Sequence, residues 1–337
     1  MAPDNHPFAV HLPAIELELV ATLAPGEWQW DHTQRRFLAW GTNGVTSWPD
    51  SRDDAVAAVP ADFPEGRLRA ASVDCRAVAA LSYDRLVIGL DGLATFASPV
   101  DPGWLDHHVI GAVGFPWNDN RAVAVRPTVD PTRYLVSIIG AAGEQVGEFE
   151  LSSDHPSGFM ISGHPLGQGF TVDAGRGQDG ADMWSFRHDG SEWVVSRSAT
   201  EDRIFAGFSP DGTEMVTTPH WRSDLVIHSW PSWTEVATLP AKGVFSAEGD
   251  HLTDYFDYFA VFLTGDTIVA MSTEHGALVV INRHSGQPVY RLELPGRESN
   301  DEGERSIESF ALMNSGHLTT GGSGTDIWAV PRVVTGV

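Results

Sequence analysis

The stretch Arg203–Leu239, RIFAGFSPDGTEMVTTPHWRSDLVIHSWPSWTEVATL, contains the pattern that decides the fold of this chain. Its apolar residues alternate with polar ones in short runs, which is the period of a half-buried β-strand. The first run ends at Ser209–Gly212 (SPDG), where proline presets one turn dihedral and glycine accepts a positive φ. No run has the 3.6-residue apolar period of a helix. The stretch therefore predicts four consecutive strands joined by three connections.

The same order of strands and turns recurs along the chain. First strands are predicted to begin near residues 28, 77, 110, 158, 204, 258 and 307. The mean spacing of these starts is about 46 residues, which is the period typical of four-stranded propeller blades. Seven starts predict an all-β chain that forms a seven-bladed β-propeller, with four antiparallel strands in each blade.

The two ends of the sequence complement each other. The last predicted unit, residues 307–330, has only three strands, whereas residues 15–23 form an extra strand before the first unit. That extra strand ends in the letters VATL at Val20–Leu23, as does the fourth strand of the clear unit at Val236–Leu239. We therefore expect residues 15–23 to complete the last blade, so that residues 1–337 form one closed domain. Closing the ring in this way removes exposed sheet edges.

These features resemble the WD-repeat β-propellers. The resemblance is carried by Phe208–Gly212 and by Ser223-Asp224 leading to Trp230, with shorter echoes at Asp326–Trp328 and Asp182–Trp184. The Gly-His pairs of this chain lie between predicted first and second strands, unlike those of the family, and no predicted blade ends in Trp-Asp. The resemblance implies a rigid interaction scaffold without chemistry of its own.

Charge and composition exclude several classes of function. The chain carries 45 acidic and 21 basic side chains, a net charge of −24, which argues against a nucleic-acid partner and favours a basic one. The single cysteine, Cys75, excludes an intramolecular disulfide. The start of the chain does not have the pattern of a signal peptide, and no apolar run is long enough to span a membrane. We expect a monomeric cytoplasmic protein without a membrane partner.

Aromatic residues supply the binding candidates. Of the 12 tryptophans, those on predicted strands are expected to pack between blades. They are Trp40, Trp48, Trp184, Trp193, Trp230 and Trp328. A tryptophan in a loop is a better candidate for an interface, because it exposes apolar surface there. The predicted binding residues are Trp104, Trp117 and Trp221 in loops, and Tyr255 and Phe256 in an acidic insertion before the sixth blade. That insertion also fits a simple solvated loop.

An enzyme is the alternative hypothesis. His220 and His275 lie in loops between second and third strands of adjacent predicted blades, which open on one face of the disc. With Asp254 or Asp257 they would form a catalytic set at the mouth of the central channel, as in a lyase or hydrolase. The sequence has no metal-ligand spacing, no nucleophile motif and no phosphate-binding loop before a helix. No metal or cofactor is therefore expected, and a scaffold for a protein or peptide partner is the leading hypothesis.

Overall fold

The fold was analysed on a computed structural model, and part of the chain is described. The described residues are 12–24, 29–41, 44–48, 68–72, 74–82, 85–91, 93–99, 111–154, 156–177, 180–200, 202–219, 224–242, 244–245, 256–272, 277–295, 307, 309–321, 325–331 and 334. Within them, no helix has the length and hydropathy that a membrane crossing requires.

The regular elements of these residues are 28 β-strands, so the all-β prediction is confirmed. They are β1 (Ala14–Glu16), β2 (Glu18–Leu23), β3 (Gln29–Asp31), β4 (Arg36–Gly41), β5 (Gly44–Trp48), β6 (Leu68–Ala71), β7 (Ala77–Leu81), β8 (Arg85–Leu90), β9 (Leu93–Pro99), β10 (Ala112–Gly114), β11 (Ala122–Pro127), β12 (Arg133–Ile139), β13 (Gln145–Ser152), β14 (Gly158–Gly163), β15 (Gly169–Gly175), β16 (Ala181–His188), β17 (Trp193–Arg197), β18 (Arg203–Phe208), β19 (Glu214–Pro219), β20 (Asp224–Ser229), β21 (Thr234–Pro240), β22 (Phe256–Phe262), β23 (Thr267–Ser272), β24 (Leu278–Asn282), β25 (Pro288–Glu293), β26 (Ser309–Leu312), β27 (Leu318–Gly321) and β28 (Thr325–Ala329).

The chain divides into two compact units. The first unit is Gly26–Glu201, and the second combines Met1–Pro25 with Asp202–Val337. The organisation of residues 1–337 as a single domain stays a prediction.

In the first unit, consecutive strands pair antiparallel in four groups. These groups are β3–β5, β6–β9, β10–β13 and β14–β17. The second group begins at Leu68, one strand earlier than the predicted start near residue 77. The sequence prediction was wrong there because Leu-Arg-Ala-Ala contains neither a β-branched nor an aromatic residue and so gives a weak strand signal.

In the second unit, β18–β21, β22–β25 and β26–β28 also pair antiparallel in sequence order. The N-terminal segment serves two of these sheets. Strand β2 pairs antiparallel with β28, where Leu19 lies opposite Trp328, and β1 pairs parallel with β25. The chain changes sheet at Leu17, which is buried and donates its backbone N–H to the Glu293 carbonyl over 2.9 Å. The segment predicted as one strand over residues 15–23 is therefore divided.

A β-bulge recurs on the last strand of five sheets. In each case one residue of that strand has no partner in the register, and four of the five are valines. The bulged residues are Val20, Thr95, Val146, Val236 and Val289. A bulge of this kind bends the strand and increases its twist locally. The VATL sequence that β2 and β21 share begins at the bulged valine, which is Val20 in β2 and Val236 in β21.

The core lies between the faces of consecutive sheets. One cluster joins β10–β13 to β14–β17 through residues such as Val136, Phe170 and Trp184. Another joins β18–β21 to β22–β25, and a third joins β22–β25 to β26–β28 and includes Leu17 and Trp328. Strand β7, which is buried on both faces, is correspondingly apolar along its whole length.

In two sheets of the second unit, a threonine hydroxyl on the second strand pairs with a ring nitrogen on the third strand. In the last sheet the Trp328 indole N–H donates to Thr320 Oγ1 over 2.9 Å in a buried site. In the β18–β21 sheet, His228 takes the corresponding inward position, and its Nε2 lies 3.0 Å from Thr217 Oγ1. Burial lowers the pKa of His228, which favours the neutral imidazole. The predicted packing residue, Trp230, lies instead in the turn after β20 and is half-buried.

Replacing Thr320 by valine is expected to destabilise the second unit, because the Trp328 indole N–H would lose its acceptor while it remains buried. The expected loss is about 1–3 kcal/mol in the free energy of unfolding. Urea denaturation followed by tryptophan fluorescence would measure it. Thr238→Val on the exposed face of β21 is the matched control and should change stability by less than about 0.5 kcal/mol. An equal effect of both substitutions would contradict the role of this hydrogen bond.

Candidate functional site

Most of the residues predicted to form a site lie outside the described residues. They are His220, His275, Asp254, Trp221, Tyr255 and Trp104. Their roles as binding or catalytic residues stay predictions. The described residues include the other three candidates, Trp117, Phe256 and Asp257.

These three residues are buried, whereas the sequence predicted exposed loop positions for Trp117 and Phe256. Trp117 is 2% exposed and packs edge-on against Phe170, with 5.4 Å between ring centroids. Phe256 is fully buried and packs against Phe245 at 5.1 Å. Asp257 is 3% exposed, and its carboxylate accepts a hydrogen bond from the Tyr258 backbone N–H. Because β22 begins at Phe256, both Phe256 and Asp257 belong to a strand and not to the predicted loop.

The described residues place a half-exposed aromatic seam in the first unit. The aromatic seam consists of Gly147 and Phe149 on β13, His188 at the end of β16, and Trp193 and Val195 on β17. The rings of Phe149 and Trp193 are 6.2 Å apart, and the exposed His188 ring lies 5.0 Å from Trp193. Both Phe149 and Trp193 pack on the core beneath but remain partly accessible. Partly accessible tryptophan beside a rigid core is typical of a binding surface.

Gly147 has no side chain, which leaves space for the Trp193 indole in the aromatic seam. A Cβ atom at this position would lie 3.4 Å from Trp193 Nε1 and 3.2 Å from Phe149. The glycine therefore lets the two outer strands approach at the seam. Val195 is 38% exposed and lies across from the buried Phe186 in the β16–β17 pairing, on the same face as Trp193.

Strand β13 borders the aromatic seam and is an acidic edge. Among the strand pairings of the described residues, β13 pairs with β12 alone. Side-chain alternation puts Glu148 and Glu150 on the face opposite to Phe149. Glu150 accepts a hydrogen bond from Arg133 over 2.9 Å, and Glu148 lies 3.9 Å from Arg126. Residues 134–154 contain no lysine or arginine. The edge therefore has an aromatic face and an acidic face.

A second feature of the first unit is the buried carboxyl group of Asp173 on β15. Neither oxygen of this group makes a hydrogen bond among the described residues, and Asp173 is only 4% exposed. Burial raises the pKa of Asp173 well above its usual value, so the neutral acid is favoured. On the same face, Ser162, Thr171, Ser185 and Ser196 lie side by side across β14, β15, β16 and β17. This polar row is absent from the sequence prediction because it arises only from strand register.

Other buried polar groups of the first unit hold backbone segments together. Asp31 Oδ1 accepts the Thr33 hydroxyl over 2.6 Å and the Thr33 backbone N–H over 3.0 Å. Arg36 donates to the carbonyls of Ala71 and Ser72, and the Gln34 amide donates to a backbone carbonyl near the end of β10. Among the described residues, no group of three or more His, Cys, Asp or Glu side chains could hold a metal ion. The contacts of Gln34 and Arg36 join β3–β5 to backbone carbonyls of the next two groups of strands.

Comparison with known proteins was informative at the level of structure. No protein-family model and no curated protein matches the chain. The structure is similar to the β-propeller domain of Cps50 (Swd1) from Myceliophteria thermophila, with a TM-score of 0.52 and 12% identity, covering 94% of this chain and 100% of that chain. It is also similar to the Dos1 propeller, with a TM-score of 0.53 and 11% identity, covering 91% of this chain and 82% of that chain.

The fold is that of a β-propeller. This agrees with the propeller architecture that the resemblance implied. Identities as low as 11% and 12% show the fold and leave the function to be argued from the site.

Proposed function

We propose that the chain is a non-enzymatic scaffold that binds a protein or peptide partner. The observation that carries this proposal is the aromatic seam, where Trp193 and Phe149 are partly accessible beside an acidic strand edge. A half-buried tryptophan on a rigid support loses little conformational entropy on binding, which makes it a suitable anchor for a partner. The predicted rim loops would add to this surface.

The partner is proposed to be basic. The net charge of −24 gives a negative potential over much of the surface, which attracts cations and repels nucleic acid. The carboxylates of β13 stand next to the apolar anchor, and a partner with both apolar and basic residues would match this combination. We also propose that the chain works as a monomer in the cytoplasm.

The proposed architecture is a ring of seven blades. The first unit supplies four groups of strands and the second supplies three, and β2 pairs with β28 as an outer strand. Seven blades would leave rim loops on both faces of a disc, including those that contain Trp221 and Tyr255. A crystal structure of the chain would test the blade number directly.

A capture experiment tests the proposed function. The purified chain would be immobilised, retained proteins would be identified from native lysate, and binding would be confirmed with each purified partner. Trp193→Ala is expected to weaken partner binding about tenfold or more, since tryptophan anchors typically contribute about 2 kcal/mol or more. Trp230→Ala is the matched control, because Trp230 is a half-buried tryptophan of the second unit. Equal losses with both variants, or no partner that binds directly, would contradict the proposal.

A further inference from the structure

Among the described strands, none pairs with the edge of β13 that faces away from β12, so this edge offers backbone groups for one more strand. From Gly147 to Ser152 its pairing with β12 is continuous, because the bulge at Val146 lies before this stretch. A regular edge strand exposes every second N–H and C=O group to whatever lies beside it. An extended segment that pairs with this edge would project alternate side chains to the two faces of the sheet.

The second unit contains such an added strand. Strand β1 lies along β25 as a fifth strand of that sheet, with Ala14, Ile15 and Glu16 opposite Arg291, Leu292 and Glu293. Ile15 packs on the core cluster of that sheet. The Arg291 backbone N–H also donates to the Pro13 carbonyl over 3.1 Å. An outer edge of this fold therefore accepts a short extended segment through backbone hydrogen bonds and one apolar anchor.

The bulged residues on β25 and β13 allow the two strands to be aligned residue by residue. Leu292 is the third residue after the bulged Val289, and Phe149 is the third residue after the bulged Val146. The residue opposite Leu292 is the apolar Ile15. By the same geometry, a residue opposite Phe149 would lie beside the aromatic seam and be apolar.

The residues that flank Leu292 on β25 and Phe149 on β13 differ in charge. Arg291 and Glu293, which flank Leu292, bind each other. Glu148 and Glu150, which flank Phe149, are both acidic and exposed. Their ion pairs with Arg126 and Arg133 involve partly or fully accessible groups, so they are weak and can rearrange. Residues opposite these two glutamates would therefore be cationic.

We propose that β13 binds an extended segment of a protein partner in which apolar residues alternate with lysine or arginine. The segment adds to the edge as a fifth strand, as β1 adds to β25. Its apolar residues contact Phe149 and Trp193 in the aromatic seam, and its basic residues contact Glu148 and Glu150. This inference rests on the proposed scaffold function and specifies the partner segment and its place.

The test uses the full chain and a fluorescent synthetic peptide of about eight residues, which spans a strand of ordinary length. The peptide alternates lysine and valine, and fluorescence anisotropy measures its binding. Saturable binding that weakens as salt is added is expected. A peptide of the same composition with its lysines and valines in two blocks should bind at least about tenfold more weakly, because a strand alternates its side chains. A third peptide, with every backbone amide methylated, should not bind, because it has no N–H group left to donate to the β13 edge.

Charge-reversal variants locate the binding edge. The double substitution Glu148→Lys with Glu150→Lys is expected to weaken peptide binding at least about tenfold, because two attractions become repulsions. The double substitution Glu18→Lys with Glu235→Lys changes the net charge equally on the outer strands β2 and β21, and should have a much smaller effect. Circular dichroism and thermal unfolding would check that both variants fold.

Three results would overturn the inference: no binding of the alternating peptide, equal binding of the methylated peptide, or equal losses in the two charge variants. These results leave the proposed function separately testable. If partners from lysate are still retained and Trp193→Ala still releases them, the scaffold function stands and only the added strand is wrong. If no partner binds directly, the scaffold function itself fails.

Discussion

Deleting residues 1–24 is expected to unfold the second unit. The deletion removes β1 and β2 and leaves β28 and Trp328 without their covering strand. Leu17 and Leu23 are 1% and 6% exposed, and burying two such side chains contributes about 1.5–3 kcal/mol each. The hydrogen bond from Thr22 to Asp326, 2.7 Å long, and the β2–β28 ladder are lost as well. The sum approaches the total stability of about 5–15 kcal/mol of a typical domain.

Circular dichroism and thermal unfolding would measure the effect of the deletion. A synthetic peptide of residues 12–24 added to the truncated chain should restore part of the folded signal, because the strand acts through non-covalent pairing. The same peptide with Leu17→Asp and Leu23→Asp is the control and should not restore it. A truncated chain that unfolds at the temperature of the full chain would show that β2 does not stabilise the last sheet.

Replacing Asp173 by asparagine is expected to stabilise the protein at neutral pH. Asp173 is buried without a hydrogen-bonding partner among the described residues, and burial raises its pKa well above the usual value. At pH 8 the wild-type protein must either bury a charged carboxylate or keep Asp173 protonated, although an exposed aspartate would be ionised at this pH. Asparagine cannot ionise, so it removes the part of this cost that grows with pH.

The sign of the pH dependence follows from proton binding. Between the unfolded pKa of Asp173, near 3.8, and its raised folded pKa, the native state holds more protons than the unfolded state. The contribution of Asp173 to stability therefore falls as pH rises through this window. Urea unfolding at several pH values from 4 to 8 should show the asparagine variant gaining on wild type as pH rises, with little difference at about pH 4.

Asp189 provides a control of opposite sign. Backbone hydrogen bonds from Glu192 and Ser191, with one from the Ser191 hydroxyl, lower the pKa of this exposed carboxyl to about 2. Its stabilising contribution is present above the unfolded pKa and is lost as pH falls toward 2. Asp189→Asn should therefore reduce stability at neutral pH, whereas Asp173→Asn should increase it. A destabilising effect of Asp173→Asn at pH 8 would show that its carboxylate has a favourable partner.

The strand content and the β-propeller fold followed from local sequence. In the Arg203–Leu239 stretch, period-two alternation and the SPDG turn are determined by residues close together in the chain, and the four predicted strands are β18–β21 of the structure. Strand β6 has no comparable local signal in its sequence. A short alanine-rich strand forms because its neighbours pair with it, which leaves little trace in its own sequence.

Candidate site residues were harder to predict, because exposure depends on neighbouring sheets. Trp117 follows a strand and has the position of a loop residue, yet Phe170 and Trp193 enclose it. Trp193 was predicted to pack between blades, and it does pack on the core, but it remains partly accessible because it lies on an outer strand. The sequence signal that could have identified the seam is Gly147 within an otherwise regular strand pattern, since such a glycine marks a close approach.

The amino-acid sequence by itself determined the alternation, the turns, the repeat near 46 residues and the excess of acidic charge, because these are properties of residues near each other or of the whole composition. Only the tertiary structure decided that β1 lies along β25, that four hydroxyls align beside Asp173, and that an aromatic seam borders an acidic edge. Each of these depends on strand register and on the packing of one sheet against another. A single bulged residue shifts the register and changes which side chains meet, so such contacts cannot be obtained from any one strand alone.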